Sequence, residues 1–326
     1  MDNYPTISII TPSLNHGLFI EKTLNSILLQ KGNFYLDVIV IDGCSIDDSI
    51  EVIKKYKLLL ETGSLPVRCR GVEYRWVSEL DSGQAAAINK GLRIARGDIV
   101  TWLNSDDKYS QNAIQSITEA FSYLGKPCAV YGHLNIINEQ DKVTGCFKAR
   151  PYEGIDKLIE SCWNTRASFL VQPAVFFKKE CIQSCGLLDE SLDAIFDYDL
   201  FIRVAREFQF VYIDKLLAEF RIYPASKTGY SDARYIWERV YVSRKYLNLL
   251  PSNAQTRLKS ESTDFLIARL WSRLRQAVKT RDFAQVRKCT VYLIKSLRLI
   301  FFDSGISYSA LRQFGRFIKS ILRLRS

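Results

Sequence analysis

The chain has few of the residues and motifs on which the commonest enzyme classes depend. It contains only 2 histidines, His16 and His133, among 326 residues. If the protein uses general base catalysis, we therefore expect the base to be a carboxylate. The sequence also has no G-x-G, no G-x-x-x-x-G-K-[ST] and no G-x-S-x-G. The dinucleotide fingerprint, the P-loop and the nucleophile elbow are thus missing, which argues against a Rossmann oxidoreductase, a P-loop NTPase and an α/β-hydrolase.

Signals for zinc, secretion and membrane insertion are missing as well. The 8 cysteines form no C-x-x-C pair, so we interpret them as reduced core residues of a cytosolic protein. The first residues, MDNYPTIS, have neither the basic start nor the apolar stretch of a secretory signal. No run of 18 apolar residues exists, so no membrane-spanning helix is expected.

The chain is rich in apolar residues and unevenly charged. It is 47% hydrophobic with a net charge of +10, so a large core is expected. From Pro251 onward there are 16 Lys and Arg against 4 Asp and Glu, which leaves 29 against 31 in the first 250 residues. The basic excess therefore belongs to the tail, and it indicates anionic lipid, nucleic acid or an acidic partner.

Short apolar runs alternate with amphipathic segments through the first 110 residues. This alternation predicts parallel strands joined by helices. We predict strands at 6–13, 36–41, 73–78 and 98–103, and helices near 18–30, 47–60, 83–96 and 110–124. Later elements are predicted as strands at 128–131, 171–177, 210–213 and 216–222 and a helix at 197–208, with Pro173 placing its strand at an edge or bulge.

Three aspartates follow the ends of predicted strands. Asp42, Asp81 and Asp106 come at or just after the carboxyl ends of the second, third and fourth strands. Ligands of open α/β sheets bind outside those ends, so the three carboxylates are expected to meet in one cleft. Taken singly, each is more often a turn or cap residue.

The stretch DIVTWLNSDD ends in two adjacent carboxylates, Asp106 and Asp107. Two such groups repel each other unless a positive charge lies nearby, and a hard divalent cation that also binds phosphates would supply it. The alternative is that one of them caps the helix at 110–124.

Six segments follow one another in the order ISIITPSLNHGLFIEKTLNSILLQ, VIVIDGCSIDDSIEVIKKY, SELDSGQAAAINKGLRIARGDIVTWLNSDD, QPAVFFKKE, GLLDESLDAIFDYDLFIRVA and FRIYPASKT. In this combination the chain resembles the inverting family 2 glycosyltransferases, which have the GT-A fold, over most of its length up to about residue 228. The resemblance implies an α/β fold with a mostly parallel, Rossmann-like sheet flanked by helices, and a helical basic tail. The expected domains are 1–230, with a nucleotide-sugar half at 1–110 and an acceptor half at 111–230, and the tail at 231–326.

The resemblance also implies a donor site for a nucleotide-diphosphate sugar. Asp42 would hydrogen-bond the base, commonly uracil, and Asp106 would bind Mn²⁺ or Mg²⁺. Asn104 stands where the family's metal motif has its first acid, so it would touch ribose or water. The residues expected to bind the nucleotide sugar are Thr11, Pro12, Ser13, Asn15, Asp42, Asp81, Gly83, Lys90, Asn104, Ser105, Asp106 and Arg221. For Lys90 and Arg221 the alternatives are a solvated helix lysine and a structural ion pair.

The expected catalytic base is Asp197. The segment FDYDLF has Phe196 and Asp197 where the family has a Glu-Asp pair, and the apolar neighbour is expected to raise the pKa of Asp197. Its alternative is an N-cap of the following helix. Tyr223 stands where the family has a histidine, and a phenol is a poor metal ligand. Candidates for the acceptor side or for support of the site are Gln172, Asp107, Asp199 and Tyr223.

The tail suggests a membrane surface. From Ser307 to Leu324 four cations at 4-3-4 spacing oppose an apolar face, a pattern typical of an interfacial helix on anionic lipid. The alternative is a helix packed on the body with its basic face in solvent. A nucleic-acid arm is disfavoured because the aromatic residues lie opposite the basic ones.

The expected function is sugar transfer from a UDP-sugar to a glycan or lipid-linked glycan at the inner face of the cell membrane. Because the family's Glu and His are missing, the alternative is a non-catalytic nucleotide-sugar-binding protein of the same fold.

Overall fold

A computed structural model gives the fold, and it describes residues 4–124, 126, 128–226 and 232–301, with side chains to Ser296. The predicted basic helix at 307–324 lies outside the described residues. Contacts divide the chain into two compact units, Met1–Glu153 with Phe169–Ser226, and Gly154–Ser168 with Lys227–Ser326. A division by contacts does not show that either unit folds on its own. The predicted domain boundary at residue 230 therefore stays a prediction.

The first unit is built on one mixed sheet of nine strands. Its first half has the order β3-β2-β1-β4 and is parallel throughout, as the alternation of strands and helices predicted. The elements are β1 (Thr6–Ser13), α1 (Ile20–Leu28), β2 (Tyr35–Asp42), α2 (Ser49–Glu61), β3 (Gly71–Ser78), α3 (Gln84–Ile94) and β4 (Ile99–Trp102).

Both faces of the central strand β1 are buried, which explains its continuous apolar sequence. Ile7 and Ile9 belong to the core cluster on one face. On the other face α3 lies so close that an added Cβ at Gly91 would stand 2.5 Å from Ile10. A glycine is therefore required where helix and strand meet.

The second half of the sheet is mixed. β8 lies between β4 and β6 and is antiparallel to both, whereas β9 runs parallel to β6. The elements are β5 (Lys108–Tyr109), α4 (Ala113–Tyr123), β6 (Cys128–Ile137), β7 (Val143–Phe147), β8 (Val175–Lys178), α6 (Lys179–Cys185), α7 (Phe196–Ala205) and β9 (Gln209–Arg221). The α/β fold class with a sheet flanked by helices is confirmed.

Three local predictions were wrong. The strand at 171–177 begins only at Val175, because Pro173 lies in a 3₁₀ turn (Gln172–Ala174) and cannot donate to a ladder. That strand is in the sheet interior and not at an edge. The two strands predicted at 210–213 and 216–222 form the single strand β9, whose register shifts opposite His133.

The cap interpretation of the acidic pair is also wrong. α4 begins at Ala113 after Asn112, which is left-handed with φ of 62°. Strand β5 separates this helix from Asp106 and Asp107. Neither carboxylate therefore caps α4.

The second unit is helical in its described part. It contains α5 (Ile155–Ser161), α8 (Ala233–Lys245), α9 (Ser252–Lys279) and α10 (Phe283–Phe301). Asp232 caps α8 by accepting the N–H of Tyr235 at 2.9 Å. Among the described residues, no helix combines the length and apolar character needed to cross a bilayer.

The cysteines are all free thiols, but they are not all core residues. Cys128, Cys162, Cys181 and Cys289 are buried, as expected. Cys44 and Cys146 are exposed, so the core interpretation was wrong for these two. Both lie at the ends or edges of strands, where the amino-acid pattern says little about burial.

Candidate active site

The parallel strands end together at one edge of the sheet. Ser13 pairs in register with Asp42, and Asp42 with Ser78. On the other side of β1, Leu103 continues β4 by donating its N–H to the carbonyl of Ile10 at 2.9 Å. The loops after β1, β2, β3 and β4 therefore share this edge, where α/β sheets bind ligands.

Asp42 organises the loop that follows β2. Its carboxylate accepts hydrogen bonds from the Ser45 N–H at 2.9 Å, the Ser45 hydroxyl at 2.5 Å and the Ser78 hydroxyl at 2.7 Å. A carboxylate has about four acceptor positions, so one is left. Asp42 is 0% exposed, so the surrounding loop must open before a base can reach that position. Its predicted role toward the base stays a prediction.

Asp81 lies against the backbone just after Asp42. A Cβ added at Gly43 would stand 3.1 Å from Asp81 Oδ2, so glycine permits this approach. The other oxygen of Asp81 accepts the N–H of Gly83 at 2.9 Å. Gly83 has φ of +139° and begins α3, a conformation that favours glycine. The structure thus brings Asp42, Asp81 and Gly83 together.

The end of β1 and its loop form the floor beside these aspartates. The hydroxyls of Thr11 and Ser13 are buried and have no hydrogen-bond partner among the described residues. Unpaired buried hydroxyls are costly, so a ligand or water that bonds them would be stabilising. Pro12, between them, pairs in register with Ile41. Asn15 is left-handed and is tied to the loop after β2, because its N–H donates to Ser45 Oγ at 2.8 Å.

Asn104 connects the loop after β4 to the start of α3. Its amide oxygen accepts from Gln84 Nε2 at 2.6 Å, and its amide nitrogen donates to Asp107 at 3.3 Å. The oxygen is therefore engaged by the protein. Gln84 was not predicted as a site residue. Its position directly after Gly83 at the helix start was the available signal.

Ser105 is joined to a histidine that sequence reasoning did not place in the site. Ser105 Oγ lies 2.6 Å from His16 Nδ1, and the Ser105 carbonyl accepts from the Thr23 hydroxyl at 2.9 Å. Ser105 is 0% exposed. The contact joins residues 89 positions apart, so spacing alone gave no signal for it.

Asp106 is partly exposed and lightly bonded. The one hydrogen bond to its carboxylate from the described residues comes from the Tyr223 hydroxyl at 3.3 Å. Burial and the nearby Asp106 raise the pKa of Tyr223, so the phenol stays protonated and donates. Among the described residues no group of three His, Cys, Asp or Glu is arranged to hold a metal ion. One carboxylate with room for phosphate and water fits a Mg²⁺-type site, in which most ligands are not protein side chains.

Asp107 is a structural anchor beside Asp106. It is 0% exposed and accepts the Arg221 N–H at 2.8 Å. Burial and the neighbouring Asp106 raise the pKa of Asp107 well above its usual range, although Arg221 and Asn104 oppose this shift. Asp107 therefore holds β9 against the loop and does not face the cleft.

Arg221 forms a buried ion pair, as the alternative interpretation of this residue expected. Its side chain is 0% exposed and donates to Asp141 at 2.6 Å. Its other partners are main-chain carbonyls, those of Asp106, Asn138 and Glu139. A buried guanidinium that is bonded in this way would have to give up these bonds to reach a phosphate. The structure therefore favours the ion-pair alternative, and the predicted phosphate contact stays a prediction.

Lys90 and Gln172 support the surrounding loops. Lys90 donates to the Leu80 carbonyl at 3.1 Å and pairs with Glu79 at 2.9 Å, so it is not simply solvated. Gln172 is 6% exposed and donates to the Trp102 carbonyl at 2.6 Å. Gln172 thus fixes the end of β4, and its predicted contact with the acceptor stays a prediction.

Asp197 and Asp199 occupy the first turn of α7 but differ in their surroundings. Asp199 is 1% exposed and pairs with Arg203 at 3.0 Å. Asp197 is partly exposed and accepts the N–H of Tyr198 at 2.8 Å. The Tyr198 hydroxyl in turn donates to the Leu170 carbonyl at 3.2 Å, in the segment that leads to Gln172. Asp197 is the better placed of the two for a role in solvent-accessible chemistry.

Asn89 positions the loop before α7 and was not predicted. This residue of α3 is 1% exposed. Its side chain exchanges two hydrogen bonds with the backbone of Leu188, both at 2.9 Å, and also donates to Glu190. Helix α3 is therefore hydrogen-bonded directly to the loop that precedes α7, the helix that contains Asp197.

Two solved structures have a similar fold. S. aureus TarS 1-349 in complex with UDP-GlcNAc has a TM-score of 0.59 and 15% identity, over 90% of this chain and 81% of that chain. The mannosyltransferase PcManGT from Pyrobaculum calidifontis, in complex with GDP-Man and Mn2+, has a TM-score of 0.54 and 17% identity, over 98% and 81%. At these identities the likeness shows the fold alone.

Curated relatives are glycosyltransferases by name. An uncharacterized glycosyltransferase of Rickettsia prowazekii (strain Madrid E) is 24% identical over 226 residues, 69% of this chain. TuaG of Bacillus subtilis (strain 168), named as a teichuronic acid biosynthesis glycosyltransferase, is 32% identical over 128 residues, 37% of this chain. The matched regions span 66% of the Rickettsia relative and 46% of TuaG, less than two thirds of each.

The sequence profile described as Glycosyl transferase family 2 matches residues 8–186. This match covers more than half of the chain, including every strand end that carries Asp42, Asp81 and Asp106. The chain belongs to glycosyl transferase family 2.

Proposed function

We propose that the protein transfers a sugar from a nucleotide-diphosphate sugar, most simply a UDP-sugar, to an acceptor hydroxyl with inversion at the anomeric carbon. The observation that carries the proposal is the single sheet edge at which the strands before Asp42, Asp81 and Asp106 end. Gly43 links the first two, and Gln84 with Asn104 links the second to the third. The complexes of TarS with UDP-GlcNAc and of PcManGT with GDP-Man and Mn2+ support a donor of this class.

In this proposal the nucleoside lies at the ends of β1 and β2. The unpaired hydroxyls of Thr11 and Ser13 and the remaining acceptor position of Asp42 offer hydrogen bonds to a base or ribose. Asp81 and the start of α3 line the next part of the cleft. The diphosphate then lies toward the loop after β4, which contains Asp106.

Asp106 would hold the divalent cation, Mn²⁺ or Mg²⁺. Its side chain is partly exposed, and among the described residues its carboxylate accepts a hydrogen bond only from the Tyr223 hydroxyl. The cation, when bound, neutralises charge on the leaving diphosphate. Tyr223 and Asn104 orient the carboxylate loop, and Asp107 anchors it.

Asp197 would deprotonate the acceptor hydroxyl for in-line attack. Its position on the first turn of α7 is fixed through Tyr198 and through the loop held by Asn89. Asp199 supports this helix by pairing with Arg203. Replacing Asp197 by Asn should abolish sugar transfer and leave donor binding intact, whereas Asp199→Asn should chiefly lower stability. If Asp197→Asn kept transfer and Asp199→Asn lost it in a folded protein, the assignment of the base would be wrong.

The proposed acceptor is a glycan or lipid-linked glycan of a bacterial surface polysaccharide. The name of TuaG supports this setting. In the second unit, the exposed residues Phe283 at 79% and Ile294 at 60% lie on α10, among cations that include Arg287, Lys288 and Lys295. Exposed apolar groups within a basic surface fit the inner leaflet of a membrane, which is anionic.

Vesicle co-sedimentation tests the membrane contact. The full chain should bind vesicles that contain phosphatidylglycerol better than neutral ones, and loss of residues after Gly305 should weaken binding. The double change Phe283→Ser and Ile294→Ser should weaken it further, because apolar insertion is lost. Equal binding of all variants would contradict the proposed contact.

The second candidate is a non-catalytic nucleotide-sugar-binding protein. The observation in its favour is the Tyr223 hydroxyl on Asp106, which occupies part of the carboxylate that the cation would use. Turnover separates the two candidates. A transferase hydrolyses or transfers its donor slowly with Mn²⁺, whereas a binding protein is only stabilised by it.

A panel of nucleotide sugars, read by thermal shift with Mn²⁺, tests the proposed function. Ligands stabilise by mass action, so the true donor should give the largest shift. Asp106→Ala should remove the part of the shift that depends on Mn²⁺. If no nucleotide sugar raised the melting temperature, the proposed donor site would be refuted.

A further inference from the structure

His16 is held between the start of α2 and the acidic loop that follows β4. Its backbone N–H donates to Ser49 Oγ at 3.0 Å, and its ring Nδ1 lies 2.6 Å from Ser105 Oγ. The His16 carbonyl accepts the N–H groups of Phe19 and Ile20, both at 2.9 Å, where α1 begins. The backbone of His16 is therefore fixed at both its N–H and its carbonyl, and its ring is fixed by Ser105.

The Ser105 hydroxyl decides which ring nitrogen carries the proton. Ser105 is 0% exposed, and His16 is the one hydrogen-bond partner of its hydroxyl among the described residues. A buried hydroxyl proton without an acceptor is costly, so the hydroxyl donates to Nδ1. A neutral imidazole then carries its own proton on Nε2. Nε2 is thus a hydrogen-bond donor and has no lone pair for a metal ion.

Nε2 of His16 lies on the side of the site where the diphosphate is proposed to bind. No acceptor for Nε2 is found among the described residues, and the side chain is half-buried. The His16 ring is 6.3 Å from the ring of Phe19, which is 5.2 Å from the ring of Tyr223. Tyr223 bonds Asp106, the residue after Ser105. These side chains form one wall of the cleft.

We propose that His16 donates a hydrogen bond from Nε2 to a diphosphate oxygen of the bound donor and of the nucleoside diphosphate product. The inference rests on the proposed function, because it requires a nucleoside at the ends of β1 and β2 and a diphosphate near Asp106. A hydrogen bond to an ionised acceptor is stronger than one between neutral groups. His16 is accordingly a donor-binding residue that acts on the phosphates and not on the nucleoside.

The test compares UDP with uridine by calorimetry in EDTA, so that no metal contributes. His16→Ala should weaken UDP binding by about 10- to 100-fold, the factor for a hydrogen bond to a charged group, and leave uridine binding unchanged. His16→Gln should retain part of the affinity, since its amide is also a donor. The matched control is His133→Ala, because the other histidine bonds Asp214 and Tyr212 elsewhere in the sheet.

The outcomes separate this inference from the proposed function. Suppose that the wild type binds UDP. If His16→Ala then lowered the affinities for UDP and uridine equally, or lowered neither, the role of His16 would be overturned and the proposed donor site would be unaffected. If the wild type bound neither UDP nor GDP, in EDTA or with Mn²⁺, both would fall, and if it bound UDP only with Mn²⁺, the comparison of UDP with uridine is run with Mn²⁺. If only GDP bound, the comparison is run with GDP and guanosine and judged in the same way.

A nitrogen-15 spectrum of the two imidazoles measures the tautomer of His16 in the wild-type protein itself. His16, assigned by its absence in His16→Gln, should show the Nε2–H tautomer near pH 8, and its Nε2 signal should shift when UDP is added. A Nδ1–H tautomer would overturn the proposal, because Nε2 would then be an acceptor.

Discussion

The buried Arg221 and the half-exposed Lys22 provide a sharp test, because both bind the same carboxylate. Arg221 is 0% exposed and Lys22 is 45% exposed, and each contacts Asp141. We predict that Arg221→Ala lowers the free energy of unfolding far more than Lys22→Ala. Arg221 was expected from sequence to reach phosphate, so the comparison also tests whether its role is structural.

The expected magnitude follows from the bonds that are lost. Arg221→Ala removes hydrogen bonds to three main-chain carbonyls and to Asp141. Each unsatisfied buried group costs about 1–3 kcal/mol, and a broken buried ion pair costs about 3–5 kcal/mol. These terms overlap, and Asp141 is 25% exposed, so we expect a total of about 3–5 kcal/mol. Lys22→Ala, at an exposed pair, should change stability by less than about 1 kcal/mol.

Urea unfolding and melting temperature measure the difference. For a unit of about 200 residues, 1 kcal/mol corresponds to about 2–4 °C, so Arg221→Ala should melt about 6–20 °C lower. Its affinity for UDP, measured well below the melting temperature, should stay close to that of the wild type. The reasoning would be refuted if Arg221→Ala kept wild-type stability and lost UDP binding instead.

Three further predictions concern pH, thiol reactivity and packing. Burial would raise the pKa of Asp141, but bonds from Lys22, Arg221 and Lys108 hold it below its usual range. The free-energy advantage of wild type over Asp141→Asn should therefore be full above about pH 4 and shrink as the pH falls further, measured by urea unfolding. Burial raises the pKa of Cys181 to about 12, so iodoacetamide near pH 8 should label the exposed Cys44 and Cys146 first, as peptide mass mapping would show; equal labelling of Cys181 in the native protein would contradict this. Gly91→Ala should cost about 1–3 kcal/mol because its Cβ would meet Ile10 at 2.5 Å, while Gly145→Ala, with its nearest atom at 3.7 Å, should be nearly neutral.

The first half of the sheet was predictable because its pattern is local. Each of the first three strands is followed by a helix before the next strand begins, and this order favours parallel pairing. The positions of Asp42, Asp81 and Asp106 at the strand ends followed from the same pattern. No long-range information was needed for this part of the chain.

The second half depends on contacts that local pattern does not encode. β8 enters the sheet between β4 and β6, and nothing in VQPAVFF specifies antiparallel neighbours. Burial of the charged Arg221 depends on carbonyls some 80 residues away, and so could not be read from its own segment. The bonds of His16 to Ser105 and of Gln84 to Asn104 are long-range for the same reason.

The segment Gly154–Ser168 belongs to the helical unit although both of its chain neighbours belong to the sheet unit. Leu158 and Ile159 are 0% exposed, and the ring of Trp163 packs 5.8 Å from that of Phe265, about a hundred residues later. During synthesis this apolar segment therefore cannot pack until α8 and α9 have left the ribosome. In a chain that ends at Ser226, the apolar side chains of 154–168 would be exposed to solvent. A shortened protein that keeps only the sheet unit therefore needs a polar linker in place of 154–168 as well as the truncation.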